Sequence, residues 1–331
     1  HVGGLHGRSL SFNRGLVINC TLTQTRTDRS YVGGAEGFQD GYTHTNLGVV
    51  DTTVTNAGDY TGGLEGRLNG GGTLQYSYTS NVTVNGRNYV GGAIGYGNTS
   101  RLYMTVINSN VTATGNYVGG AFGYIASIHP TDNAYSALIY EILIANCQIT
   151  GANNVGGFVG KTNNAQLTPA KFYNIIIVAN VTATNTSNTY VGAVNGDDTK
   201  LYSGTPLTTF RLYRNNKVNN QTLVSNRPNN ISADYLATST NLNTQSYYTN
   251  LNFNTARWNY ADIATYFPRV YQSSSGSVRA EQKKLATPKN NGNVVFARMN
   301  IAVAPIGHEL PIMTTYSSGI NTINLEFDKS D

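Results

Sequence analysis

Three residues of types that can bind a metal or cleave a sugar chain share one position of a repeated heptapeptide. The copies "HVGGLHG", "YVGGAEG" and "YTGGLEG" place His6, Glu36 and Glu65 sixth. If successive copies stack at the strand spacing of ~4.8 Å, the two carboxylates approach the separation found in a retaining glycosidase, or join the histidine on a metal ion. In the next three copies the position is apolar and holds Ile94, Phe122 and Val159. We therefore favour the interpretation that these residues are the polar end of a variable column rather than a functional site.

Aromatic residues form a second set of candidates. Most heptapeptide copies begin with tyrosine, which gives a column of Tyr31, Tyr60, Tyr89, Tyr117 and Tyr190. A row of tyrosines can stack on sugar rings with its hydroxyls in water, but covering the neighbouring glycine backbone is the favoured interpretation. Further aromatic residues gather near the end of the chain, and the binding candidates among them are Tyr247, Tyr248, Trp258 and Tyr260.

Other signals for chemistry are weak. Asp197 and Asp198, in "NGDDTK", are candidates for Ca²⁺, although adjacent acids in a turn are more often only solvated. The chain has no HExxH motif for a catalytic zinc, and its glycines follow the repeat rather than precede a helix, which argues against a phosphate loop. We therefore expect a chain that is not an enzyme and has no cofactor.

The repeat that places these residues also indicates the fold. Seven copies start at residues 1, 31, 60, 89, 117, 154 and 190, so the steps are 30, 29, 29, 28, 37 and 36 residues. Between them run alternating segments such as "NVTATGNYVGG", a pattern typical of strands. Repeats of this length indicate a solenoid. We expect an all-β, right-handed parallel β-helix with coils of 28 to 37 residues, followed by a C-terminal cap and a short extra β unit.

A second column supports this period. An apolar residue followed by threonine recurs as Leu22–Thr23, Val54–Thr55, Val82–Thr83, Val111–Thr112, Ile149–Thr150 and Val181–Thr182. The threonines, and a partial column of Asn81, Asn110 and Asn180, should form side-chain ladders. The glycine pair of each heptapeptide should allow either a positive φ or close packing of neighbouring coils.

The two cysteines fall in one column of the repeat. Cys20 in "INCTLT" aligns with Cys147 in "ANCQIT", four coils away. That is about 19 Å at the strand spacing, beyond the ~7 Å limit between the Cα atoms of a disulfide. We predict two free, buried thiols.

Composition and charge exclude several classes of partner. Charged residues make up 12% of the chain, and the net charge of +5 is not gathered into basic runs, so no nucleic-acid surface is expected. No apolar run is long enough to cross a bilayer, so membrane insertion is not expected. The chain begins within a repeat and ends at "NLEFDKSD", and we interpret it as a monomeric fragment of a larger protein.

The repeat resembles a known family. "YVGGAIGY", "YVGGAFGY" and "NVGGFVGK", each followed by an Asn/Thr-rich strand, are similar to the GLUG motif of large bacterial surface proteins. These include adhesins and the non-catalytic N-terminal region of IgA-cleaving zinc metallopeptidases of Gram-positive bacteria. The resemblance covers about residues 1–196 and implies an extracellular, cell-surface β-helix. "ARWNYADIATYFPRVY" at 256–271 is similar to the tail that often closes such arrays.

Four segments follow from these patterns. Residues 1–215 are the repeat β-helix, 216–271 a Tyr-rich capping segment, 272–292 a basic linker or loop, and 293–331 a short β unit or the start of the next domain. The leading functional hypothesis is a binding or adhesion module that presents a rigid face to polysaccharide or host glycoprotein. The alternatives are a substrate-capture region of a surface zinc peptidase and, less favoured, a β-helix polysaccharide lyase or hydrolase.

Overall fold

The structure, a computed structural model, describes most of the chain up to residue 270. The positions left out of that range are 10, 29, 70–71, 98–102, 127–138, 163–171, 186–189, 198–208, 223–231, 261–262 and 265–266. The predicted linker 272–292, the predicted β unit 293–331 and Asp198 lie outside the described residues.

The heptapeptides form the first sheet, which contains seven strands in the described chain. All are parallel and lie side by side in chain order, as a β-helix requires. The strands are Val2–Gly3, Val32–Gly33, Thr61–Gly62, Val90–Gly91, Asn116–Gly119, Asn153–Gly156 and Val191–Gly192. Val2 pairs with Val32 and Val90 with Val118, so the register predicted from the repeat is confirmed.

A second sheet follows directly after each heptapeptide turn. Its six strands, again parallel and in chain order, are His6–Ser9, Glu36–Asp40, Glu65–Asn69, Ile94–Gly97, Phe122–Ile125 and Val159–Thr162. Within it His6 pairs with Glu36, Glu36 with Glu65, and Glu65 with Ile94. The shared column expected from the heptapeptide is therefore present.

The rest of each coil belongs to a third sheet of fifteen described strands. The first group is Phe12–Ile18, Thr43–Val50, Thr73–Gln75, Ser77–Ser80, Met104–Ile107, Ile139–Gly151, Phe172–Ala183, Phe210–Tyr213 and Leu236–Ala237. The second group is Thr21–Gln24, Thr53–Asn56, Thr83–Gly86, Asn110–Ala113, Lys217–Val218 and Gln221–Thr222. Among the described strands, parallel stacking of coils is thus the rule, which confirms the all-β parallel β-helix.

The second column of the repeat is mostly in the predicted register, with one correction. Leu22, Val54, Val111, Ile149 and Val181 share a column, but its member in the third coil is Val84 rather than Val82. Thr83 pairs with Asn110, so the two "SNVT" stretches are offset by two residues. The offset moves Asn81 out of the predicted asparagine column. The same short sequence in two neighbouring coils need not be preceded by the same number of residues, so the two copies need not pair.

The glycine pair acts through close packing. A Cβ at Gly63 would lie 2.1 Å from the carbonyl oxygen of Gly92 in the next coil, a distance no side-chain atom tolerates. Positive φ falls instead on the tyrosine that precedes the motif, as at Tyr60 (63°) and Tyr89 (56°). Of the two roles expected for the pair, the described glycines show the second.

The main core fills the coils. It consists of inward-facing residues of all three sheets, such as Val90, Ile94 and Val106, all fully buried. Cys20 and Cys147 are both free; Cys147 is buried, whereas Cys20 is only partly so. Tyr235 and Leu236 pack against this core from the C-terminal side.

After the coils come short helices and a small antiparallel pair. The helices are a 3₁₀ turn at Ala233–Tyr235 and α-helices at Ser239–Leu242 and Gln245–Asn250. The strands Trp258–Asn259 and Arg269–Val270 pair antiparallel. In the described part of the chain, no helix has the length and apolarity that a membrane crossing needs.

Candidate functional site

The tyrosines that precede the heptapeptide strands lie in one row at a corner of the helix. The ring centroids of Tyr31 and Tyr60 are 5.1 Å apart, those of Tyr60 and Tyr89 4.8 Å, and those of Tyr89 and Tyr117 4.9 Å. These distances repeat the spacing of the coils. Tyr60, Tyr89 and Tyr117 therefore form a stack, and Tyr31 continues the row with its ring tilted by 52° to that of Tyr60.

The stack ends at the sixth coil. Asn154 takes the tyrosine position there, with the same positive φ (52°). Tyr190 follows one coil later, and its side chain is 40% exposed. Tyr190 is thus separated from the stack by a side chain without a ring.

A second column, absent from the sequence predictions, runs beside the tyrosines. It consists of the residue after each heptapeptide, in the order Arg8, Phe38, Arg67, Tyr96, Tyr124 and Lys161. Cations and aromatic rings are mixed along it. We call the two columns together the aromatic corner.

The two columns interlock through ring edges and cations. Tyr96 meets Tyr60 edge-on at 5.4 Å, and Tyr124 meets Tyr89 edge-on at 5.5 Å. The Arg67 guanidinium lies 5.3 Å from the ring centre of Tyr31 and 5.1 Å from that of Tyr96, and it donates a 2.7 Å hydrogen bond to the Tyr31 hydroxyl. Edge-to-face and cation–π contacts of this kind hold rings in fixed orientations. The corner is therefore rigid.

The corner offers ring edges and hydroxyls to solvent rather than ring faces. Tyr31 and Tyr60 are buried, whereas Tyr89, Tyr117 and Tyr124 are half-buried. Stacking covers the faces of the inner rings. Burial and then the neighbouring tyrosines and Asp59 raise the pKa of Tyr89 from 10.0 to about 12, so its hydroxyl is neutral and able to donate at physiological pH.

The predicted aromatic residues near the C-terminus lie elsewhere. Tyr248 (0% exposed), Trp258 (1%) and Tyr260 (8%) are buried, and Tyr247 is partly buried. They pack in a second cluster against side chains on the outer side of the third sheet, including Tyr78, Leu143 and Tyr213. The sequence pattern predicted that this segment covers the end of the core, but these rings lie beside the coils. Tyr248, Trp258 and Tyr260 therefore have no open face for a ligand.

A buried carboxylate joins this lateral aromatic cluster to the coils. Glu141 accepts hydrogen bonds from the Trp258 indole N–H at 2.8 Å and from two nitrogens of Arg257, at 3.0 and 2.5 Å. The Arg257 guanidinium also lies 4.7 Å from the ring centre of Tyr103. This bidentate ion pair satisfies the carboxylate that the packing buries.

The acid column of the heptapeptide points into the coils. Glu36 is 2% exposed and Glu65 0%, whereas His6, in the same column on the first coil, is exposed. The ring of His6 packs edge-on against Phe12 at 4.8 Å. His6 is therefore not part of the buried group.

The place expected for His6 is taken by His44, a residue that the sequence predictions did not include. His44 Nδ1 lies 3.0 Å from Glu36 Oε2 and 3.0 Å from Glu65 Oε1, and His44 Nε2 lies 3.2 Å from Ser9 Oγ. Burial lowers the pKa of His44, but hydrogen bonds and charges from the two glutamates outweigh it and raise that pKa from 6.5 to about 9. Burial raises the pKa of Glu65. We call Glu36, His44 and Glu65 the interior triad.

Asp197 is not a solvated turn residue. Its side chain is almost fully buried and lies 3.5 Å from Lys161 Nζ, and its backbone N–H donates to Asn195 Oδ1 at 3.0 Å. The paired lysine and the side-chain turn explain the acid without a calcium ion. Asp198, its predicted partner, lies outside the described residues.

The residues that the sequence predictions missed differ in how strongly the sequence indicates them. The second column of the aromatic corner directly follows each heptapeptide, so it was available from the repeat alone. His44 stands in the variable stretch after Glu36, and its neighbours in the sheet are Phe12 and Leu74. No periodic pattern singles it out, and only the turn geometry brings it to the carboxylates.

No protein-family model matches this chain, and no curated protein does. Among solved structures, the crystal structure of a putative immunoglobulin A1 protease from Bacteroides ovatus is similar, with a TM-score of 0.52. The two are 16% identical in sequence over 77% of this chain and 74% of that chain. At this identity the likeness shows the fold alone, and it agrees with the parallel β-helix described above.

Proposed function

We propose that this chain is a non-catalytic, extracellular binding module of a cell-surface protein, and that the aromatic corner is its ligand face. The observation that carries the proposal is the continuous row of tyrosines from Tyr31 to Tyr117, which is stacked from Tyr60 onward and interlocked with a second row that contains cations. Such a row repeats the same hydroxyl and ring edge once per coil. An extended ligand with its own repeat can meet it many times, so weak contacts add.

The spacing of the row favours a glycan as the ligand, either a polysaccharide or the sugar of a host glycoprotein. The rings follow one another at 4.8 to 5.1 Å. A peptide strand along the row would advance ~3.3 Å per residue and lose register within a few residues. A pyranose unit is comparable in length to one coil and carries hydroxyls on its rim. The ordered corner also reduces the conformational entropy lost on binding.

Hydrolysis or elimination on a polysaccharide is not supported by the placement of the acids. Glu36 and Glu65, the pair that a glycosidase would need, face the interior and pair with His44. A sugar chain cannot reach them without opening the coil. We therefore keep the proposal to binding.

A second candidate is a substrate-capture region of a surface zinc peptidase. Its support is the fold likeness to a protein described as a putative immunoglobulin A1 protease, together with the GLUG-like repeat. In this role the same corner grips a glycoprotein substrate for a catalytic domain on another part of the protein. The two candidates differ in whether the protein part of the ligand contributes to affinity.

The test is binding of the chain to immobilised cellulose, chitin and mucin, and to immunoglobulin A1 before and after enzymatic removal of its glycans. We expect binding to at least one glycan, and loss of binding to the deglycosylated protein. The second candidate predicts that deglycosylated immunoglobulin A1 still binds. Failure to bind any of these ligands would contradict both candidates.

The ligand face is tested by a triple variant, Tyr89→Phe, Tyr117→Phe and Tyr124→Phe, which keeps the stacked rings and removes the hydroxyls. A hydrogen bond contributes about 0.5–1.5 kcal/mol, so we expect roughly tenfold or greater loss of affinity with an unchanged melting temperature. Tyr173→Phe is the matched control, since Tyr173 is 41% exposed on the third sheet, away from the corner. Equal affinity of the triple variant and the control would place the ligand elsewhere.

A further inference from the structure

The interior triad is a group of three buried ionisable side chains in direct contact. The side chains of Glu36 and Glu65 are 3% and 0% exposed and that of His44 is 0% exposed. Among the described residues, His44 is the one basic side chain within ion-pair distance of either carboxylate. Even with a charged imidazole, two ionised glutamates leave one negative charge in the core. An uncompensated charge there is costly.

One oxygen of the triad lacks a hydrogen-bond partner. Glu65 Oε1 faces His44, whereas Glu65 Oε2 is buried and accepts no hydrogen bond in the described structure. The other carboxylate differs, because Glu36 Oε1 accepts from the Ser9 backbone N–H at 2.5 Å. A buried carboxylate oxygen left open beside an imidazole is a free donor atom for a cation.

The hydrogen bond between the His44 imidazole and Ser9 of the first coil also favours a cation at this place. Ser9 Oγ lies 3.2 Å from His44 Nε2 and can accept a hydrogen bond from the Nε2–H group of neutral histidine. Nδ1 then presents its lone pair to two carboxylate oxygens at 3.0 Å each. Histidines that bind metals usually donate their other ring N–H in this manner, which fixes the tautomer. A metal ion at this place takes the position of the proton that otherwise lies between Nδ1 and the two carboxylates.

We propose that the interior triad binds one divalent transition-metal ion, of the Zn²⁺ class, inside the second and third coils. The ligands are one oxygen of Glu36, His44 Nδ1 and one or both oxygens of Glu65, and these ligand atoms lie within 4.8 Å of one another. Bonds of ~2.0–2.2 Å are reached by small side-chain shifts. Two carboxylates and a neutral imidazole balance a doubly charged ion, which removes the charge deficit.

The ligand set also indicates which metal ions do not fit the site. One imidazole nitrogen with carboxylates suits zinc and similar ions, whereas Ca²⁺ takes six to eight oxygen ligands and Mg²⁺ keeps several waters. The neighbouring core side chains Leu64, Leu68 and Leu74 are apolar and fully buried, so they supply no further oxygen ligands. The ion would join the second coil, through Glu36 and His44, to the third, through Glu65. Its role is structural, and it is independent of the proposed binding function.

The test uses the full 331-residue chain without a histidine tag, stripped with EDTA and dialysed. Titration calorimetry with Zn²⁺ should show one site per chain, and Co²⁺ should give the visible absorption of a low-symmetry nitrogen–oxygen site. The melting temperature should rise with Zn²⁺ and not with Mg²⁺ or Ca²⁺, because an ion that binds only the folded state stabilises it.

Variants separate the triad from other ligands. We expect Glu65→Gln and His44→Asn to abolish the calorimetric site, and Ser9→Ala to weaken it about 10–100-fold, as for other residues that orient a metal-bound histidine. His6→Asn, which removes an exposed histidine of the same column, and Glu141→Gln, which removes a buried carboxylate from the lateral cluster, should bind Zn²⁺ like the unaltered chain. Circular dichroism checks that each variant is folded.

Three results would overturn the proposal. The first is absence of a stoichiometric site in the stripped chain. The second is unchanged Zn²⁺ affinity of folded Glu65→Gln or His44→Asn, or loss of the site in folded His6→Asn. The third is equal stabilisation by Mg²⁺ and Zn²⁺.

Discussion

One column of the β-helix interior is built in two ways. In the second and third coils it holds Glu36 and Glu65, and in the next three it holds Ile94, Phe122 and Val159. All five side chains are buried to 2% exposure or less. The backbone pairing on either side is the same parallel ladder, so the difference lies only in what fills the coil.

The comparison shows that the ladder sets where a side chain points and that its neighbours decide which side chain is tolerated. The apolar members need only contact the rest of the core, and Phe122 does so edge-on with Phe158 at 5.5 Å. The glutamates need a partner of opposite polarity, and His44 is supplied by the neighbouring sheet of the same interior. A buried carboxylate is therefore tied to two or three coils, while an apolar residue is replaceable along the whole helix.

The largest effect is expected from extending the glutamate column into the apolar region. Ile94→Glu would place a carboxylate next to Glu65 with no histidine beside it, and would remove a fully buried isoleucine. We expect the free energy of unfolding to fall on the order of 5 kcal/mol, measured by urea denaturation followed by circular dichroism. Ile94→Met, which keeps the volume, should lose less than about 1.5 kcal/mol. Similar stability of the two variants would contradict the distinction between the regions.

A smaller effect is expected from making the polar region apolar. In EDTA, His44→Leu alone should cost about 3–5 kcal/mol, because it leaves two carboxylates without a partner. The triple variant Glu36→Ile, His44→Leu and Glu65→Ile, chosen to match Ile94 and Leu74 in the same columns, should recover most of that loss. Replacement of a complete buried charge group by packed apolar residues is often neutral or stabilising by about 1–4 kcal/mol. If the triple variant is less stable than His44→Leu, the triad contributes more than charge compensation.

The smallest effect concerns pH, at the point where the tyrosine stack passes from the polar coils to the apolar ones. Tyr89 lies there, and its pKa is raised from 10.0 to about 12, first by burial and then by Tyr60, Tyr117, Tyr124 and Asp59. The folded chain holds this proton more tightly than the unfolded chain, so the associated stability is present below pH 10 and is lost between pH 10 and 12. Ultraviolet titration of tyrosinate should show late-ionising groups, which also include Tyr103 and Tyr247 with raised pKa values, and Tyr89→Phe should have one fewer of them. Ionisation of all tyrosines near pH 10 in the folded chain would contradict this.

How much the sequence predicts depends on whether a residue belongs to the repeat. The pairing of Val2 with Val32 and of Glu36 with Glu65 follows from the heptapeptide period, as does the separation that keeps Cys20 and Cys147 apart. The offset at Val84 does not, because the number of residues between the second and third sheets differs between coils, with thirteen steps from Glu65 to Tyr78 and eleven from Ile94 to Thr105. Periodic letters predict a register only where the intervening turns are equal.

The residues that matter most for chemistry include those whose contacts the repeat period does not predict. His44 reaches Glu36 and Glu65 across the inside of a coil, from a different sheet. Its column holds Phe12 and Leu74 in the neighbouring coils, so no recurring residue type marks the position. Likewise Glu141 meets Arg257 and Trp258 more than a hundred residues away. Contacts of this kind depend on how turns and a folded-back segment are placed in space.

The repeat pattern alone is sufficient to predict the coil, its period and the row of tyrosines. The physical reason is that parallel strands repeat at one spacing, so equal positions in successive repeats must stack. Three features required the three-dimensional packing: which carboxylates meet a histidine, which rings face solvent, and which aromatic residues are buried beside the third sheet. They depend on contacts between different sheets and between distant segments. The pairing of backbone strands within one sheet does not determine those contacts.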